Sequence, residues 1–329
     1  MSTSEMNDKK LESLKKGLNT FFAIKSSAFK ANSIINKNMG FPYTKPTFPN
    51  SVDLKSPKFS VGVDYDTSWA RKRPARIVRK AITDLVMGPV VKFIAAPQIL
   101  GSELFEEYNG PFIFTANHAS HLDTGLLISS LPEHIRHKTV AAAAADYFFD
   151  TKLKAHLAAG ILNAIPMERV KVNRTSALFA AELIEEGWNL IIFPEGGRTP
   201  DGWGQEWKGG AAYLSIKTNA PIVPIYLDGT RNLLGKGSKK LTTGATKIVF
   251  GKPMYASAKE DSRKFAKRVE DKVAMLADES QSGFFEARLR ASKGKTPSLE
   301  GGIDSKWLRS WTAGKKPHPT LPKKPKWPK

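Results

Sequence analysis

The sequence predicts an α/β fold: a mostly parallel or mixed sheet covered by helices. Three observations predict it. Apolar runs of strand length recur through the middle of the chain. Segments with helical spacing fall between them, such as Thr175 to Glu186 (TSALFAAELIEE), with Gly187 where a helix stop is expected. Strand–helix alternation of this kind implies parallel strands whose crossovers cover the sheet faces.

Taken in order, residues 1–70 are rich in Lys, Asn and Ser. Within them Leu11 to Ile35 sets Phe21, Phe22, Ile24 and Phe29 among lysines, predicting a basic helical region able to associate with a membrane. Residues 71–285 hold the alternating pattern. Their expected strands are Pro111–Ala116, Thr139–Ala144, Leu190–Phe193, Ile222–Leu227 and Lys247–Phe250. The tail, 286–329, is basic and Pro-rich, ends TLPKKPKWPK, and is expected to be extended.

Ala81 to Leu100 (AITDLVMGPVVKFIAAPQIL) is the nearest approach to a membrane span. Asp84, Pro89, Lys92 and Pro97 interrupt it, and the basic run Arg71 to Lys80 precedes it. That pattern suits a helix lying among lipid headgroups, or a core helix with a basic leader. The polar start, MSTSEMNDKKLESLKK, lacks the apolar stretch of a secretory signal.

Composition narrows the chemistry. The absence of cysteine excludes disulfides, thiolate metal sites, cysteine nucleophiles and iron–sulfur clusters. Lys and Arg number 51 against 31 acids, a net charge of +20, so an anionic partner is expected. Nucleic acid, an acidic membrane surface and a phosphorylated substrate all meet that description.

Two polar clusters stand at expected strand ends, where open α/β sheets gather ligands. Asn117-His118-Ala119-Ser120-His121-Leu122-Asp123 follows the first strand. On one continuous helix His118 and Asp123 would lie about 140° apart. With His118 in the turn and Asp123 opening the helix, the carboxylate can fold back onto the imidazole and fix its tautomer. The other ring nitrogen is then a general base, typically worth on the order of 10²–10⁴ in rate. Asp123 merely complementing a helix dipole is the plainer alternative.

Pro194-Glu195-Gly196-Gly197-Arg198-Thr199 follows the Leu190–Phe193 run. Its glycines let backbone amides approach an anion, Arg198 offers a planar fork for phosphate, and Thr199 adds a donor. An ordinary glycine-rich turn has the same composition. Ile165-Pro166-Met167-Glu168-Arg169 supplies a second arginine, and Ala220-Pro221-Ile222-Val223-Pro224-Ile225 is apolar strand entry. His134, His137 and His156 show no metal-like arrangement with acids, and no metal site is expected.

In this order, NH-x4-D, I-P-x-x-R, F-P-E-G-x-R-T and A-P-I-V-P-I resemble the four blocks of the 1-acylglycerol-3-phosphate acyltransferase superfamily. The likeness runs from His118 to Ile225 and is extended by Trp207-Lys208-Gly209-Gly210. It implies a glycerolipid acyltransferase-like fold, with His118 as base and Asp123 as its orienting partner. It further implies that Arg169, Gly196, Gly197 and Arg198 hold the acceptor phosphate while Glu195 anchors the turn. The donor would be acyl-CoA or acyl carrier protein, the acceptor a lysophospholipid, with no metal or redox cofactor. Gly197 and Thr199 depart from the family's usual E-G-T-R-S, so acceptor identity is less constrained than reaction class. A sibling acting on glycerol-3-phosphate or another lysophospholipid is the alternative.

A basic nucleic-acid-binding protein is the distant alternative. No zinc finger, stacking-strand motif or basic zipper supports it, so no nucleic acid partner is expected. No G-x-S-x-G elbow is present, which argues against a serine hydrolase. A peripheral protein on the cytoplasmic face of an anionic membrane is the resulting expectation.

Overall fold

Among the described residues seven short, largely apolar runs, in which Ile and Ala are the commonest residues, pair into one sheet. The computed structural model describes residues 62, 64–108, 110–168, 174–238 and 240–301. A helical entry comes first: α1 (Arg73–Ile82), a π turn (Thr83–Met87) and α2 (Gly88–Ala95). Then follow β1 (Pro97–Leu100), α3 (Leu104–Glu107), β2 (Ile113–Ala116), α4 (Asp123–Ser130), α5 (Glu133–Arg136) and β3 (Thr139–Ala144). Next are α6 (Ala145–Phe148), α7 (Lys152–Leu162), β4 (Ala164–Met167), α8 (Arg174–Glu185) and β5 (Asn189–Ile192). The chain continues through α9 (Gly210–Thr218), β6 (Ile222–Asp228), α10 (Thr230–Leu234), β7 (Thr246–Phe250), α11 (Ser262–Ser282) and α12 (Phe284–Ser292).

The sheet order is β1-β7-β6-β2-β5-β3-β4. Every neighbouring pair is parallel except β6 and β7. All four residues of β2 are buried, as a central parallel strand covered on both faces requires. Side chains alternate across it. Phe112 and Phe114 join the core formed with Leu126 and Leu127 of α4, whereas Ile113 joins the core formed with Ile184, Phe265 and Val269.

This topology positions the two polar clusters. Phe114 of β2 sits beside Ile191 of β5 in parallel register. Both strands therefore end at the same edge, and the chain after Ala116 emerges next to the chain after Ile192.

Four expectations are corrected. The stretch 81–100 is not one segment: the helix ends at Ala95, Ala96 turns left-handed at φ 36°, and Pro97–Leu100 pairs with β7. A residue before proline disfavours the helical region, which is why the helix stops there. Pro89 is tolerated because the π turn immediately before it shifts the hydrogen-bond ladder at the position where proline removes a donor. β4 is an additional strand, built from the Ile165-Pro166 block at the sheet edge, where proline costs no central ladder bond.

The tail expected from residue 286 is helical as far as Ser292. Gly283 (φ 91°) ends α11 and lets α12 turn back, where Arg290 pairs with Asp278 at 2.6 Å. His137 does meet acids. Asp84, Glu133 and His137 bring ligand atoms within 4.8 Å of one another. Arg136 and Lys80 already pair with those carboxylates, so the group is a charge clasp holding the entry helix to α5. Asp84 is distant in sequence, so no local spacing reveals it. The basic region 1–61 and the tail beyond 301 lie outside the described residues.

Candidate active site

Asp123 is the first residue of α4 and is fully buried. Its Oδ2 accepts the backbone N–H groups of Ala119 and Ser120, both at 2.8 Å, and lies 2.8 Å from His118 Nδ1. One oxygen thus ties down the turn that precedes the helix and orients the imidazole, while the carboxylate stands in the first turn of α4, where it also complements the helix dipole. With the proton on Nδ1 shared with Asp123, Nε2 carries the basic lone pair. The imidazole stacks on Phe193, with centroids 4.0 Å apart and planes 17° from parallel. Phe193 belongs to the second cluster, so the two clusters grip one ring.

Glu195 ties them again. It is 4% exposed, and its carboxylate accepts the N–H groups of His118 (3.0 Å) and Gln205 (3.1 Å). Burial pushes this carboxyl up to about 7, outweighing those two bonds, with the Asp123 charge adding in the same direction. Thr199 N–H donates to the His118 carbonyl at 2.8 Å. The Thr199 hydroxyl accepts from Gly202 N–H and bonds Asp201, so it closes its own turn. Asn117 acts as a splice between strands: its amide group exchanges two hydrogen bonds with the backbone of Leu227, at 2.8 and 2.9 Å.

His118, Gly196, Gly197 and Arg198 line one cavity of about 550 Å³. Much of its lining is apolar, with Ala141 to Ala144, Ala158, Leu162, Ala164 and Met167 contributing. Lys208, Gly209 and Gly210 stand at its polar side, joined by Ser262 and Arg263 from the start of α11. Gly196 holds φ 72°, and a side chain there would meet Lys208 Nζ at 2.7 Å, so glycine lets that ammonium lie across the turn. His121 also lines the cavity, and burial, then the Arg198 charge, lowers its basicity.

The expected site residues therefore divide. His118, Gly196, Gly197 and Arg198 face the cavity, with Asp123 behind the histidine. Glu195 and Thr199 brace the loops from the opposite side, and Arg169 lies outside the described residues. Phe193 and Lys208, which stand in the matched blocks without an assigned role, join them, as do Tyr147 and Arg263, which the fold alone brings there. Chemically, an oriented imidazole, the cationic side chains of Arg198 and Lys208 and a largely apolar lining suit proton removal from the hydroxyl of an anionic acceptor beside a bound aliphatic chain.

The acyltransferase family model matches residues 96–228, the stretch that carries both polar clusters. Among curated proteins the chain is 28% identical over 168 residues to a chloroplastic 1-acyl-sn-glycerol-3-phosphate acyltransferase of Brassica napus, covering 48% of this chain and 45% of that protein. It is 25% identical over 141 residues to the human alpha form of 1-acyl-sn-glycerol-3-phosphate acyltransferase, covering 42% and 48%. The crystal structure of the 1-acyl-sn-glycerophosphate acyltransferase PlsC from Thermotoga maritima is similar at a TM-score of 0.49 and 22% identity, covering 66% of this chain and 84% of that one. The chain spans about half the length of the curated relatives it matches. By these likenesses the chain is similar to the 1-acylglycerol-3-phosphate acyltransferases over its middle region.

Proposed function

We propose that this chain moves a fatty acyl group from acyl-CoA or acyl carrier protein to the free hydroxyl of 1-acylglycerol-3-phosphate, making phosphatidic acid. One observation carries the reading: the His118–Asp123 pair faces an apolar cavity with Arg198 and Lys208 at its polar side. His118 Nε2 takes the acceptor's hydroxyl proton as the oxygen attacks the thioester carbonyl. The carbon–sulfur bond then breaks, and the thiolate leaves with the proton returned by the imidazolium. Arg198 and Lys208 hold the acceptor phosphate, and the apolar part of the lining takes the acyl chain. The chemistry asks for no metal or redox cofactor.

The protein works from the cytoplasmic face of an anionic membrane. No helix among the described residues is long and apolar enough to cross one. The entry helix supports docking instead: Leu85 is 75% exposed and Phe93 54%, with Arg73, Arg76 and Lys80 exposed on the same helical stretch.

The deciding experiment is donor-dependent thiol release with 1-acylglycerol-3-phosphate, glycerol-3-phosphate and lysophosphatidylcholine, comparing wild type with His118→Ala. Transfer to 1-acylglycerol-3-phosphate that His118→Ala abolishes is the expected result. Transfer to another acceptor moves the substrate and keeps the chemistry. Folded protein inactive with both CoA and carrier-protein donors sinks the reading.

A further inference from the structure

Behind the catalytic loops lies a second cavity of about 420 Å³. Residues of the loops alternate between the two spaces. His118 lines the first, while its neighbours Asn117 and Ala119 line the second. Gly196, Gly197 and Arg198 line the first, while Glu195 and Thr199 line the second. The far wall comes from Thr230 and Arg231 of α10, Asp278 and Gln281 of α11, and the strap 297–299. All of these lie beyond the stretch that matches the family, 96–228.

An account of its polar groups shows what is missing. Three carboxylates line the space, and each is committed. Asp228 accepts Gly229 N–H and Gln281 Nε2, both at 2.9 Å. Asp278 is bound by Arg290 and Ser282. Glu195 holds its two backbone amides. Two donors are left over. Thr230 is 1% exposed and its hydroxyl has no partner, and Arg231 has a buried Nη1 without one. The Arg231 stem is fixed against the turn that follows Thr199: a side chain at Gly202 would meet its Cδ at 3.2 Å.

Buried donors without acceptors are costly, and native structures rarely leave two together. With the acids already satisfied, the absent partner is an acceptor. A guanidinium beside a hydroxyl suits a phosphate oxygen pair. The space is far larger than one phosphate group. We infer that the second cavity binds a phosphate-bearing small molecule, with Arg231 and Thr230 holding its phosphate. This site is separate from the acceptor phosphate position assigned to Arg198 and does not depend on that assignment.

The test is titration of the full chain with inorganic phosphate and with glycerol-3-phosphate at constant ionic strength, followed by calorimetry and phosphorus NMR. Arg231→Gln is expected to weaken one phosphate site about 10- to 100-fold, the loss of a charge-assisted bond. Arg198→Gln should leave that site intact. Thr230→Val should weaken it several-fold, and Arg231→Lys, which keeps the charge but not the fork, should fold and bind at reduced affinity. Tighter binding of glycerol-3-phosphate assigns an organic phosphate; equal or tighter binding of the inorganic ion assigns free phosphate. No phosphate binding by the wild type, binding lost wholly in Arg198→Gln, or unchanged binding in both Thr230→Val and the Arg231 variants overturns the inference. His118→Ala separates the two proposals, since it should abolish acyl transfer and leave this binding unaltered. An acyl-transfer-inactive wild type that still binds phosphate through Arg231 would remove only the proposed function.

Discussion

Oε1 of Glu195 accepts the backbone N–H of His118 at 3.0 Å, so a carboxylate from one motif holds the main chain of the base in the other. Burial raises that carboxyl from 4.5 to about 7, so the folded chain binds its proton more tightly than the unfolded chain does. Between those values the folded state holds more protons, and stability falls as pH rises through the window. The span corresponds to at most roughly 3 kcal/mol. Glu195→Gln should flatten this part of the curve, while losing the bond from Gln205 N–H at every pH. Denaturant melts of both proteins from pH 4 to 8 check it; parallel curves would contradict the burial argument.

Asp123→Asn tests orientation apart from architecture. The amide oxygen can still accept from Ala119 and Ser120, but it no longer bears the charge that fixes the imidazole. Transfer should fall by at least about 100-fold, the scale of general-base help, with a melting point shifted by only a few degrees. Steady-state kinetics beside a thermal melt gives both numbers. A large melting loss with preserved turnover would reverse the assigned roles.

Phe193→Ala removes the platform under the His118 ring. An aromatic pair of this kind is worth about 0.5–1.5 kcal/mol, so the ring should lose its fixed orientation while the fold persists. We expect kcat to drop about tenfold, with Phe193→Tyr close to wild type. A change confined to KM would instead place Phe193 in substrate binding.

Leu85→Glu combined with Phe93→Glu places two charges on the exposed apolar helix. Binding to anionic vesicles should weaken at least tenfold, since burying one such side chain contributes about 1.5–3 kcal/mol. The melting point should stay unchanged because neither residue packs in the core. Vesicle flotation at low and high salt reads the effect, and undiminished flotation would locate the docking face elsewhere.

Much of this was legible in the residues themselves. β3 falls on the expected Thr139–Ala144, and α8 ends where Gly187 takes φ 83°. Strand ends marked the site because parallel sheets place it there. What escaped detection depends on contacts between distant residues. β1 and β4 are four residues long and carry prolines, so neither shows a strand pattern. Asn117 meets Leu227 across 110 positions, and Phe193 meets His118 only after β2 and β5 pair. Thr199 has the composition of a ligand donor, and only the turn geometry shows its hydroxyl spent on Asp201 and Gly202.

One edge of the sheet imposes an order on synthesis. Among the described residues β1 has a single neighbour, β7, and Pro97 waits for Thr246 before its ladder can form. A chain emerging at about 5–20 residues per second therefore carries β1 unpaired for about 7–30 s and the bare edge of β6 for about 1–4 s. Any truncation ahead of residue 250 makes that exposure permanent. Two unpaired apolar edges invite pairing between copies, so such products should accumulate as aggregates rather than as smaller folded chains.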